Sequence, residues 1–198
     1  KLKENNLSSI ASNVCDKVFH LTPVIHNELV VRDKLSSMSM SGSANLITLI
    51  FNKSNLKDLG MEGHPPEFGI YLSIIKANNL HVKNGDEYEF TMEKTKNKNL
   101  KNMYEDFLSI IKKSKEAVSI SDIYSHFEKQ PYGAKSGILP ILLAVFYKSS
   151  EASCAFYNKD EQGRESLITD FDQKISERLY HLPETLKIMF VKIEGEKQ

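Results

Sequence analysis

Neither sign of charge prevails in this chain: its 198 residues hold 26 lysines and arginines against 26 aspartates and glutamates, a formal net charge of zero. A dedicated nucleic-acid binder normally carries a basic excess, so any phosphate-gripping surface has to be a local patch. Cysteine is equally scarce. Cys15 and Cys154 stand far apart, without metal-like spacing, which fits a reducing compartment, and hence a cytoplasmic location, better than a disulfide framework. No apolar run reaches the roughly 20 residues that a membrane span needs, and no leader pattern opens the sequence, so no membrane is expected among the partners. The chain starts at Lys1 rather than methionine and reads as an excised piece of a longer protein.

Catalytic signatures are missing too. The sequence holds no G-x-x-x-x-G-K-[ST] phosphate loop, no G-x-S-x-G elbow and no H-E-x-x-H pair. Gly133-Ala134-Lys135-Ser136-Gly137 lacks the first glycine at the right spacing and has no strand before it; a tight turn into a buried helix explains both glycines better. The histidines (20, 26, 64, 81, 126 and 181) are scattered. His26-Asn27-Glu28 offers one imidazole and one carboxylate where metal sites use three or four ligands, and reads as polar groups tying a loop to a helix end. The carboxylate pairs Glu105-Asp106 and Asp170/Asp172 fall on polar, solvated faces, and Cys15 reads as a packed thiol. Neither enzymatic activity nor a cofactor is expected.

What is present is helical periodicity and one dense apolar stretch. From Ile138 to Tyr147 nearly every side chain is apolar, so a helix there is buried on most of its surface. Pro140 falls in the first turn, where proline is tolerated. Leu7, Ile10, Val14 and Val18 recur at helical spacing, predicting an amphipathic helix that ends near His20. Glu28 and Arg32 would share a face if the stretch after Pro23 were helical. Further helices are predicted from the serines at 36–43 to about Asn52, over Pro66–Asn79, Leu100–Lys113, Asp122–Glu128 (capped by Ser121) and Phe171–Leu182. Strands are predicted over 118–120, 153–157 and 185–193, and Asn84-Gly85 signals a hairpin. Two stretches align at an offset of 68 residues: Gly69-Ile70-Tyr71 with Gly137-Ile138-Leu139, and Tyr88 with Phe156.

These elements predict a mainly α fold with small β-hairpins (α+β), arranged as two winged-helix-like lobes. The first spans 1–92 and ends in a hairpin wing, a lysine-rich linker covers 93–102, and the second lobe spans 103–198. The runs P-V-I-H-N-E-L at 23–29, L-G-M-E-G-H-P-P-E at 59–67 and Q-P-Y-G-A-K-S-G-I-L-P-I-L-L at 130–143 together resemble an accessory region of large multidomain P-loop ATPases from bacterial anti-phage defence and restriction loci, of the BREX type or related kinds. That resemblance covers roughly residues 20–192 and implies a module whose ATPase domain lies elsewhere in the parent protein.

The expected role is therefore a non-catalytic interaction or scaffold module that positions partner domains or subunits. The alternative is DNA binding through Lys94, Lys96, Lys98 and Lys101, with Lys112, Lys113 and Lys115 as a second patch and Lys76 as the one cation on the recognition helix Phe68–Asn79. The wing carries Lys83 against Asp86, Glu87 and Glu89, more acidic than a phosphate-binding wing should be.

Overall fold

The computed structural model of the protein describes residues 2–191, with side chains from residue 8 onward. The architecture is α+β and mainly helical, with one two-stranded and one four-stranded antiparallel sheet. Helix α1 covers Leu2–Val18; of its predicted apolar stripe, the Leu7 side chain lies outside the described residues. Helix α2, Ser37–Asn52, starts where the Ser36 hydroxyl accepts the Ser39 N–H at 3.2 Å, an N-cap that satisfies one of the helix's orphan donors. After a tight turn at Lys57–Gly60, α3 runs from Pro66 to Ile70 and continues as a π-helical turn over Tyr71–Lys76. The hairpin β1 (His81–Asn84) and β2 (Glu87–Phe90) follows.

Helix α4, Lys98–Lys113, is capped by the Asn97 side chain, which accepts the Leu100 N–H at 3.2 Å. Strand β3 (Val118–Ser119) leads directly into α5, Ile120–Glu128. Helix α6 is Leu139–Ser149, with Pro140 in its first turn. Strands β4 (Cys154–Lys159) and β5 (Glu165–Leu167) form a second hairpin. Helix α7, Gln173–His181, is capped by Asp172, whose carboxylate accepts the Ile175 N–H at 2.9 Å. Strand β6, Leu186–Phe190, closes the sheet in the order β3-β6-β4-β5. The predicted extension of this last strand to Ile193 lies outside the described residues.

The core is one apolar cluster to which both expected lobes contribute, from Val30 through Ile188. Helix α2 packs on α6 and α7 as well as on α3. Every residue of α6 from Leu139 to Tyr147 is buried. At its far end Phe51, Tyr147, Phe156 and Phe171 form an aromatic knot, with the Phe51 and Phe171 rings stacked at 4.1 Å and Phe156 edge-on to both. Such pairs add about 0.5–1.5 kcal/mol each beyond area burial.

Several local expectations change. The stretch after Pro23 is a chain of turns rather than a helix, because the Asn27 side chain accepts the N–H groups of Leu29 and Val30 (2.9 and 3.3 Å), offering the backbone a local alternative to helix. Asn27 also donates to Ser73 at 2.7 Å, the loop-to-helix tie expected there. In the hairpin, Asn84 pairs with Glu87, so Gly85-Asp86 are the central residues. Positive φ falls on Gly85 alone, the pattern of a type II′ turn rather than type I′. Ser119, not Ser121, occupies the N-cap of α5, and its side chain makes no capping bond.

The two glycines before α6 serve different ends. Gly133 has φ +59°, as a turn requires. Gly137 is a close approach: its N–H donates to the Arg32 carbonyl at 2.8 Å. A Cβ there would stand 2.6 Å from the carbonyl oxygens of both Val30 and Arg32.

Candidate nucleic-acid and interaction surfaces

Helix α4 decides where the predicted cations stand. Lys94 and Lys96 sit in the loop before it, Lys98 and Lys101 in its first turn, Lys112 and Lys113 in its last turn, and Lys115 just beyond. At 1.5 Å per residue the helix is about 24 Å long, so the two patches lie at opposite ends of one rod. Within the stretch expected as a linker, Thr95 and Leu100 are buried and Lys98 to Asn102 are helical.

Several cations already have structural work. Lys101 donates to the Glu93 carbonyl at 3.0 Å. Lys112 lies 4.9 Å above the Phe190 ring, and with Lys113 it complements the negative end of the α4 dipole. Lys76 is paired with Asp58 at 3.1 Å. Lys94, Lys96 and Lys98, by contrast, are exposed and make no ion pair among the described residues. The expected recognition helix buries Ile70, Tyr71, Ile74 and Ile75, and its only cation is the Asp58-bound Lys76.

Two polar constellations were invisible as sequence. Asp106 of α4 accepts from His126 of α5 at 2.7 Å and from the Tyr132 hydroxyl at 3.1 Å. This trio pins the loop after α5 against α4; burial and then the Asp106 charge hold the Tyr132 phenol well above its ordinary range. The members come from three separate segments, so no spacing announces them. The second is buried. His81 accepts or donates at both ring nitrogens, to the Ser54 carbonyl at 2.7 Å and the Tyr71 hydroxyl at 3.0 Å. A carbonyl can only accept, so the nitrogen facing Ser54 carries the proton, and in the neutral ring the other receives the Tyr71 O–H. Burial lowers the His81 pKa, against the opposing effects of the Ser54 contact and Asp58. Beneath it, Asp58, Leu59 and Gly60 have φ of 48°, 55° and 67°, a left-handed turn in which Leu59 is fully buried. Non-glycine residues in that region carry strain of roughly 1–3 kcal/mol each, held here by the burial of Leu59 and the Asp58–Lys76 pair. Among the described residues no group of three metal-ligating side chains converges.

The surface also carries apolar groups. Helix α1 is solvent-facing from Ser8 to Lys17, and its Ile10 and Val14 are 56% and 53% exposed on one face. Cys15, read as a packed thiol, is exposed instead, because it lies in the solvent-facing stretch from Ser8 to Lys17. No helix among the described residues is long and apolar enough to cross a membrane. The chain matches no protein-family model, no curated protein and no solved structure.

Proposed function

We propose that this chain is a non-catalytic interaction or scaffold module of a larger ATPase-type defence protein, positioning partner domains or subunits in the cytoplasm through α1. The observation that carries the reading is the uncovered Ile10–Val14 face. A helix of 17 residues rich in serine and asparagine is marginal on its own in water, and covering its apolar face is what stabilises it. The resemblance to accessory regions of P-loop ATPases supplies the partner class. With the adjoining ATPase domains supplied as a separate polypeptide, co-sedimentation is expected for the parent chain and lost in an Ile10→Asp, Val14→Asp variant. Equal association of the variant would remove α1 from the argument.

One observation favours a second reading, DNA binding by a winged-helix-like lobe. α3 and its π-helical continuation to Lys76 lead into the β1–β2 hairpin, and Lys94, Lys96 and Lys98, exposed and without an ion pair among the described residues, follow it in sequence. Phosphate contacts would make such binding fall steeply with salt. Duplex binding at low salt that disappears when Lys94, Lys96, Lys98 and Lys101 become Glu would support it; no low-salt binding by the parent chain would end it.

A further inference from the structure

The turns at 22–31 form a strap over the segment that leads into α6, and a pocket lies beneath them. Both ends of the strap are pinned to the segment it crosses. At one end the Leu21 N–H donates to the Pro131 carbonyl at 3.1 Å, and the Thr22 hydroxyl bonds the Tyr132 carbonyl. At the other, the Gly137 N–H donates to the Arg32 carbonyl at 2.8 Å and the Ser136 hydroxyl to the Asp33 carbonyl at 2.9 Å. The middle is tied to other elements: the Val24 carbonyl accepts from Asn97 at 3.0 Å, and Asn27 donates to Ser73 at 2.7 Å. These ties fix the strap over α6 and leave a cavity of about 150 Å³ beneath it. The site is formed in advance, as ligand pockets usually are.

Its walls are Pro23, Ile25, Val31, Ala134, Ile138 and Leu142. Two polar side chains, Thr22 and Lys135, complete the lining, and both are engaged. The single Thr22 proton serves the Phe19 and Tyr132 carbonyls, and Lys135 pairs with Asp33 at 3.0 Å. The neighbouring ionisable groups His20, His26, Glu28, Arg32, Lys34 and Lys129 are exposed and stand outside the lining. An ionic ligand would therefore give up its hydration without a free counter-charge in return. Water gains little either, because a buried molecule needs about two to four polar partners. Native interiors keep few voids larger than a water molecule, and an apolar cavity of about this size takes benzene.

We propose that this pocket is a binding site for a small uncharged apolar molecule with about the bulk of one benzene ring. Ile138 and Leu142 form its buried floor, and the half-buried Ile25 and Val31 its wall on the strap side. The assignment is independent of α1 and of the lysines around α4.

Methyl-detected NMR on the whole chain tests this. Benzene should give saturable shifts at Ile25, Val31, Ile138 and Leu142, and should raise the melting temperature by mass action. Benzoate and benzylammonium carry the same ring with a charge, and each should bind at least about tenfold more weakly. Ala134→Leu should fill the cavity and abolish the benzene shifts. Val31→Phe fills it from the strap side and serves as the second variant if the first loses its fold. No saturable shift with benzene, equal binding of either charged analogue, or undiminished benzene binding in the filled variants would overturn the proposal.

Discussion

Helices α1 and α6 stand at opposite ends of one scale. Both follow from apolar spacing in the sequence, yet α6 is buried from Leu139 through Tyr147 while α1 is exposed from Ser8 to Lys17. Periodicity announces a helix and its apolar face; it does not say whether that face is covered by this chain. For α6 the cover is internal, supplied by α2 and β2, by Phe107 of α4 against Phe146, and by Phe51 and Phe156 against Tyr147. For α1 the described residues leave Ser8 to Lys17 facing solvent. The same kind of pattern thus marks a core in one place and a solvent-facing stripe in the other.

The largest test of this contrast is Leu142→Ala. Leu142 is almost fully buried and already borders a small apolar cavity of about 150 Å³ beneath the 22–31 loop. Truncation there should destabilise by about 2–5 kcal/mol, through lost burial and an enlarged void. An unmoved denaturation midpoint would place α6 with the solvent-facing stripes rather than the core.

A pH titration probes a buried group outside both helices. The His81 pKa is lowered on folding, so between the folded value and about 6.5 the unfolded chain binds the extra proton. Its contribution is therefore fully present above about pH 6.5 and lost as pH falls toward the folded value. Stability should decline on acidification over that window, and the decline attributable to this residue should vanish in His81→Gln. A pH profile identical in the variant would mean that the Tyr71–His81–Ser54 contacts do not set the acid response.

The smallest effect belongs to α1. Ile10→Ser and Val14→Ser should each change stability by no more than about 0.5 kcal/mol while weakening association with the adjoining domains. A loss of stability as large as that of Leu142→Ala would erase the distinction between the two helices.

The contrast also marks how far the sequence is legible. Long periodic elements such as α2, α4 and α7 appear within a few residues of their predicted ends, because caps at Ser36, Asn97 and Asp172 punctuate them locally. The turns from Pro23 to Leu35 do not, since Asn27 redirects the backbone from within. The short strand β5 escapes as well: all three of its residues are exposed and it pairs only along β4, so it has no buried face to write an alternation. For the site the limit is different. The lysines are plain in the sequence, but which are engaged depends on Glu93, Asp58 and Phe190.

The position of β6 has a consequence for how the molecule assembles. This strand lies between β3 and β4, joining Val118 to Ile188 and Phe156 to the same residue from the other side. Until it arrives, β3 and β4 have no common neighbour, and the β4–β5 hairpin presents an open edge. Pairings between such distant positions close slowly, because the intervening loop must be ordered first. On a ribosome, the helical core around α2 and α6 can therefore gather well before the sheet. The sheet then locks in one late step, and a chain stalled short of residue 186 would expose two strand edges to other copies.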